Sequence, residues 1–200
     1  MPHTSAHREE ASSHLTPMGQ RLFRFVEFDD NEQLLAEIRK HPVGLVFTIA
    51  TGLFVSLAVM VGLVVLALNL ESIGFSLDNT LIRDVLVGLA LVFGAFGLIA
   101  TFIAAVLYLS NVVFVTDQKI AQVMYISLFN RKILQLGMGN VQDVNVSQKG
   151  ILAHIFDYGS LIIETAGEME NPAFTYVPDP STNSQIIIQA HQEYVEKHGN

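Results

Sequence analysis

The chain has no cysteine in its 200 residues, and this absence removes disulfides, thiolate metal sites, cysteine nucleophiles and S-palmitoylation together. A second absence constrains it further. No Asp, Glu, Lys or Arg occurs from Pro42 to Leu70 or from Val85 to Thr116. Each uncharged run exceeds the roughly 20 apolar residues needed to cross a hydrocarbon core about 30 Å thick, so each reads as a transmembrane helix. A soluble domain could hide one such helix, but two in a chain of this length leave too little polar sequence to cover them. The first run is preceded by about forty residues and is too long for a signal-peptide core, so both spans are expected to persist in the mature protein. Neither contains an ionisable residue that could serve as proton relay, counter-ion or substrate site, which argues against a transporter.

The spans are expected at about 43–70 and 84–110, within a hairpin covering 42–110 and joined by a short external loop, 71–83. Lys and Arg near the membrane ends set the orientation. Arg21, Arg24, Arg39 and Lys40 precede the first span, Lys119, Arg131 and Lys132 follow the second, and the loop carries only Arg83. Both termini are therefore expected on the cytoplasmic side of a multi-pass inner-membrane protein. The net charge of −8 extends to the region after the second span. An acidic module of this kind is not expected to bind nucleic acid, nor to be drawn to anionic lipid by charge alone.

Residues 1–20 are polar and are expected to form a disordered tail. Its His3, His7 and His14 offer no preformed geometry for a metal. In the juxtamembrane segment, 21–41, Leu22 to Phe28 is rich in aromatic and β-branched residues and is expected to be a strand, with an interfacial anchor as the alternative. Asp30 and Gln33 have capping-box spacing, and Glu32 to Lys40 is expected to form a short helix with Leu34, Leu35 and Ile38 on one face. Within the spans, Thr48, Gly52 and Ser56, and Gly97, Thr101 and Ala105, place small residues at every fourth position. Such stripes let two helices approach closely in lipid.

From Asn111 the pattern changes period. Strands are expected at Val112 to Thr116, Ile120 to Ile126, Lys132 to Leu136, Val141 to Ser147, Ser160 to Thr165 and Ala173 to Val177. Asp117 to Lys119, Ser127 to Arg131, Gly137 to Gly139 and Ala166 to Asn171 punctuate them, and Ile151 to Phe156 forms a short turn. After Pro178-Asp179-Pro180 a helix is expected, capped by Ser181 or Thr182, with Ile186, Ile187, Ala190, Tyr194 and Val195 on its apolar side. The fold class is thus a membrane α-helical hairpin followed, over 111–197, by a small all-β barrel or sandwich with a C-terminal amphipathic helix.

Several short motifs recur in order: Val115-Thr116-Asp117 with Lys119-Ile120; Val141-Gln142-Asp143-Val144 with Ser147-Gln148; and Asp157-Tyr158-Gly159-Ser160-Leu161-Ile162-Ile163 leading to Thr165-Ala166-Gly167. With Glu32, Leu35 and Arg39-Lys40-His41 ahead of the first span, the chain resembles the bacterial pleckstrin-homology (PH)-like membrane proteins over roughly residues 30–195. In these a transmembrane hairpin runs into a PH-like domain. Gly159 suits such a fold by entering its strand in a backbone conformation that a side chain would block. The resemblance implies a binding or scaffolding module and brings no general reaction with it. Phosphoinositide recognition is not expected, because the turn Asp117-Gln118-Lys119, taken as the first of the barrel, offers one cation beside one acid.

Other clusters are weaker. His154, Asp157, Tyr158 and Ser160 contain the residue types of a hydrolase triad, but sequence neighbours rarely converge with that geometry. Gly137-Met138-Gly139-Asn140 lacks the remaining glycine of a dinucleotide loop. Arg131-Lys132 could touch anionic headgroups. No catalytic, cofactor-binding or metal-ligating residue is assigned, and no cofactor is expected. The leading function is a noncatalytic membrane-anchored module that binds a protein partner or its own copies, aided by free strand edges. Alternatives are a subunit of an oligomeric channel or transporter, and a membrane enzyme using His154 and Asp157.

Overall fold

The computed structural model describes residues 15–29, 31–73, 79–166 and 171–199. His3, His7, His14, Asp30, the loop residues 74–78 and the turn residues 167–170 lie outside that set. Two compact units emerge, 45–106 and a second that joins 1–44 to 107–200.

The first unit is a helical hairpin. Helix α2 runs Pro42–Leu68 and α3 runs Asn79–Leu109, the former about 40 Å long at 1.5 Å per residue. Both are long and apolar enough to cross a membrane. Their large side chains point outward: Phe54 is 72% exposed and Phe102 71%. A helix in a soluble core would bury these groups, whereas here no protein covers them. The two helices meet along the small-residue stripes. A Cβ on Gly52 would collide with the Thr101 side chain, and one on Gly97 with Ser56. The Ser56 hydroxyl also donates to the Gly94 carbonyl at 3.2 Å. Helix α3 starts five residues ahead of the expected span, because Leu81 and Ile82 continue its apolar character up to the exposed pair Arg83 and Asp84.

The second unit holds two antiparallel sheets. The first has the order β1-β2-β3-β4, and the second β5-β6-β7. Their strands are β1 Leu34–Arg39, β2 Val112–Thr116, β3 Lys119–Ser127, β4 Asn130–Gly137, β5 Val141–Ser147, β6 Tyr158–Thr165 and β7 Ala173–Pro178. The six strands expected after Asn111 are all present, extended by up to two residues at either end. They form two sheets and not a closed barrel. A five-residue helix, α4 (Ile151–Ile155), replaces the expected turn, and α5 (Pro180–His198) closes the domain. Between the sheets lies a core built from Val113, Val115, Ile120, Leu161, Ile163 and Phe174, into which α5 inserts Ile187 and Ala190.

Two expectations for the segment before α2 are corrected. Leu34 to Arg39 is a strand, not a helix, and pairs antiparallel with β2 through Ala36↔Val115, Ile38↔Val113 and Arg39↔Val112. An isolated helix this short is marginal in water, whereas the β2 edge satisfies its backbone and takes Ile38 into the core. Leu22 to Phe28 is not a strand. The helix α1, Pro17–Phe23, is capped by Thr16, whose hydroxyl accepts from the Gly19 amide at 3.1 Å. The chain after it turns so that Phe23, Val26 and Phe28 pack on Val112, Phe114, Ala121 and Val123. Residues 15–20 are therefore ordered against the sheet and do not belong to a solvated tail.

The domain consequently includes α1 and β1, ahead of the helical hairpin, as well as the strands after it. The helical hairpin is an insertion between two neighbouring strands, β1 and β2, of the first sheet. The turn Asp117-Gln118-Lys119 is accordingly the second connection of that sheet.

Candidate functional site

The end of the β-domain where β1 leads to Pro42 and Leu109 leads to β2 gathers aromatic side chains from four separate segments. The His41 amide donates to the Tyr176 carbonyl at 2.6 Å, and the Tyr108 hydroxyl donates to the His41 carbonyl at 2.7 Å. The His41 ring stacks on Tyr158 at 5.5 Å, and Tyr158 stacks on Tyr176 at 5.5 Å. Tyr108 meets Tyr176 edge-on at 6.1 Å. Because the Val43 amide donates to His41 Nδ1 at 3.2 Å, that nitrogen is an acceptor and the neutral ring carries its proton on Nε2. The Lys40 ammonium lies 5.1 Å from the centre of the Tyr108 ring, and burial lowers its pKa from the ordinary lysine value.

The backbone here is unusual. The non-glycine residues with positive φ among those described are Asp157 at 48°, Tyr176 at 57° and Asp179 at 38°, and all three lie at this end of β6 and β7. Asp and Asn tolerate the left-handed region; for Tyr176 it costs on the order of 1–3 kcal/mol, so neighbouring contacts must hold it. Those contacts are the His41 amide and the Tyr158 ring. The Asp179 amide donates to the Asp157 carbonyl at 2.9 Å, while its carboxylate accepts from Thr182 at 3.1 Å and caps α5. The expected cap, Ser181 or Thr182, is thus displaced to Asp179. Pro180 occupies the first turn, where its missing N–H costs nothing.

Beside the cluster, the outer face of the second sheet carries an open cleft lined by Ser147, Lys149, Tyr158, Ser160, Thr175 and Tyr176. Ser147 and Ser160 are direct partners in the β5–β6 ladder. Gly159 is needed between them for space and not for conformation. A Cβ there would press on the Ser147 carbonyl and on the Gln148 and Pro180 side chains, while its φ is not positive. The cleft offers one ammonium and several hydroxyls, a donor set suited to holding a polar or anionic group.

Other residues singled out in the sequence have separate places. His154 Nδ1 sits 3.0 Å from the Gly150 carbonyl on α4, and Asp157 accepts from the Gln148 side chain at 2.9 Å. Tyr158 is stacked as described, and Ser160 lines the cleft, so the four triad-like residues do not converge. Gly137 to Asn140 ends β4 in a single 3₁₀ turn that buries Met138, with Gly139 packed against Tyr194. The Arg131 guanidinium lies 3.5 Å from the centre of the Phe25 ring, and Lys132 is exposed. Lys119 pairs with the buried Glu32 carboxylate at 2.9 Å, and that carboxylate also accepts the Thr116 hydroxyl at 2.6 Å. The cation of the Asp117-Gln118-Lys119 turn is therefore already engaged within the fold.

Tyr108 and Tyr176 had no signal in periodicity or motif, and His41 entered only as the last residue of the Arg39-Lys40-His41 motif. An aromatic residue at each inner end of the apolar runs, Tyr108 and His41, is the clue that the sequence held.

Compared with known proteins, the chain matches the family described as Bacterial PH domain over residues 45–190. That match takes in most of the helical hairpin and six of the seven strands but leaves out β1. One solved structure, a DUF1696-family protein with a pleckstrin-homology domain from Shewanella loihica, is 10% identical. The alignment covers 40% of this chain and 70% of that one, with a TM-score of 0.34. No curated protein sequence matches at a significant level. With the family match spanning more than half of its length, and with two antiparallel sheets and a C-terminal helix in place, the chain belongs to the bacterial PH domain family.

Proposed function

We propose that the protein is a membrane-anchored, noncatalytic binding or scaffold module whose PH-like domain associates with a protein partner, or with its own copies, at the inner face of the cytoplasmic membrane. One observation carries the reading. The helical hairpin is inserted between paired strands β1 and β2, so the chain enters and leaves the domain at neighbouring residues, Arg39 and Val112. A connection with two covalent roots at adjacent strands holds a domain in place more tightly than a single flexible tether would.

Further support comes from three features. The outward apolar faces of α2 and α3 need lipid as their solvent. The order of strands leaves β4 at the end of the first sheet and β5 at the end of the second, and an end strand can accept an added one. Of the side chains that resemble a triad, His154, Asp157 and Tyr158 are engaged with separate partners and Ser160 lines the cleft, which favours recognition over reaction. Phosphoinositide binding is not part of the proposal: Lys119 is taken up by Glu32, and the first strand connection is the hairpin itself.

In-cell cross-linking followed by mass spectrometry tests the association. Cross-links from Lys132, Lys149 or Lys197 to one other protein, or to a second copy, are expected. A chain that yields none and runs strictly as a monomer in detergent would overturn the reading. A reporter fused after Asn200 should be active on the cytoplasmic side only.

A further inference from the structure

The β-domain distributes its exposed apolar side chains unevenly. Strand β1 runs toward Pro42 and β2 runs away from Ser110, so one end of the first sheet is the end that bears both helix roots. Val112 pairs with Val123, and β3 continues four residues beyond it to Ser127 before turning into Asn130. At 3.3 Å per residue the β3–β4 tip projects about 13 Å past the start of β2. It carries Leu128 and Phe129, and Phe129 is 98% exposed.

The second sheet adds to the same end. Helix α4 directly precedes Tyr158, which stacks on His41, one residue before Pro42. Its Ile151 is 79% exposed and its Ile155 66%, and Leu152 and Phe156 are also exposed. Monomeric soluble surfaces scatter single apolar residues, whereas contiguous ones mark an interaction. At the opposite end, the β2–β3 turn presents Asp117 and Gln118. Arg131, Lys132 and Lys149 flank the two apolar elements. Asp157 and Asp179, at the end that bears the helix roots, are bonded to Gln148 and Thr182 respectively.

We propose that the β3–β4 tip, through Leu128 and Phe129, and α4, through Ile151, Leu152, Ile155 and Phe156, enter the lipid surface as a two-point foot. Lipid is the occupant because the same end of the domain is covalently continuous with two helices of membrane length, which brings a bilayer to these side chains without any partner. Large apolar groups bordered by Lys and Arg are the composition of interfacial segments, which bury their apolar face about 5–10 Å into the headgroup and acyl boundary. The foot rests on the reading of α2 and α3 as membrane spans. It restricts the tilt of the domain and fixes which strand edges face the cytoplasm.

The chain contains no tryptophan, so single reporters can be read without background. Four full-length variants, Phe129→Trp, Ile155→Trp, Phe54→Trp and Glu196→Trp, are reconstituted in phosphatidylcholine vesicles with and without brominated acyl chains. The foot requires blue-shifted emission, quenched by brominated lipid, at 129 and 155, with water-like unquenched emission at 196 near the end of α5. Quenching at 54 with none at 129 and 155 would overturn the foot and leave the spans intact. No quenching at any position would overturn both. Blue-shifted emission at 129 and 155 that brominated lipid does not quench would mean that protein covers these side chains, which also overturns the proposal. So would equal quenching at 129 and 196, because contact would not then be confined to one end.

Discussion

The four-stranded sheet is covered on both faces along β2 and the first half of β3, whereas the three-stranded sheet is covered on one. In β2 all five residues of Val112–Thr116 are buried. In β6, buried Gly159, Leu161 and Ile163 alternate with the partly exposed Tyr158, Ser160 and Ile162. The inner faces share one core. What differs is the outside, where α1 and the turn after it lay Leu22, Phe23 and Val26 on the first sheet, while the second presents Asn145, Glu164 and Thr175 to solvent. A strand covered on both sides reads as a continuous apolar run and one covered on one side reads as alternation. The composition of β2 therefore already implied that something packs on its far side.

The comparison can be broken most directly by removing the cover. Deleting residues 1–28 from the full chain strips five buried apolar side chains, Leu15, Leu22, Phe23, Val26 and Phe28, from the first sheet, each worth up to about 1.5–3 kcal/mol. The β-domain is expected to lose protease resistance in detergent and to bind a hydrophobic dye. A deletion that leaves the digestion pattern unchanged would show that the outer face of the first sheet needs no cover. A smaller break comes from Glu32→Ala, which leaves the Lys119 ammonium without its partner and the Thr116 hydroxyl with only the Lys119 carbonyl, 2.9 Å away, to donate to. Removing one member of a buried pair costs about 3–5 kcal/mol, and the denaturation midpoint should fall accordingly. The double variant Glu32→Leu with Lys119→Met should recover most of that loss. If it does not, the pair contributes through its hydrogen bonds and not as compensated charge.

Much of this was legible in the sequence, and what was missed shares one cause. The strands from Val112 onward follow from alternation and turn residues, which are local. Strand β1 was not legible because Leu34, Leu35 and Ile38 fit a helical face equally well. What decides the matter is pairing with Val113 and Val115, more than seventy residues away across the hairpin. Phe23, Val26 and Phe28 showed the right aromatic content for the wrong element, since nothing nearby revealed that a sheet face awaited them. The site divided in the same way. Ser160 sits at the start of an expected strand, but His41, Tyr108, Tyr158 and Tyr176 come together only once β1, β2, β6 and β7 are placed. The left-handed backbone at Tyr176 has no sequence signal at all.

Finer variants sharpen the contrast between the two outer faces. Thr16→Ala removes the cap of α1 together with the Thr16 hydroxyl bond to Glu37, 2.6 Å long. A loss of about 1 kcal/mol is expected, with proteolysis beginning ahead of Phe28 while the second sheet stays protected. Equal loss of protection in both sheets would show that the cover and the core unfold as one unit. On the outer face of the second sheet, Ile162→Ser should cost less than about 0.5 kcal/mol, as for surface positions generally. A cost several times larger would mean that this face, too, has a cover.

The smallest effect concerns α5, the element that closes the shared core as α1 closes the first sheet's outer face. Its start depends on Asp179, whose pKa is lowered below the ordinary carboxylate value by hydrogen bonds from the Thr182 side chain and amide. Because the folded value lies below the unfolded one, the contribution is fully present above about pH 4 and fades as the pH falls through the folded value. Asparagine keeps the acceptor and tolerates the left-handed backbone at this position, but it does not titrate. Alanine loses the acceptor and retains the strain. The Tm of the parent should therefore exceed that of Asp179→Asn slightly at neutral pH, with the gap closing below pH 4, whereas Asp179→Ala should lie beneath both across the range. The informative quantity is the difference between parent and Asp179→Asn, since other carboxylates titrate in both chains. A difference that does not change with acidification would mean that the charge on Asp179 adds nothing to the cap beyond what its oxygen supplies.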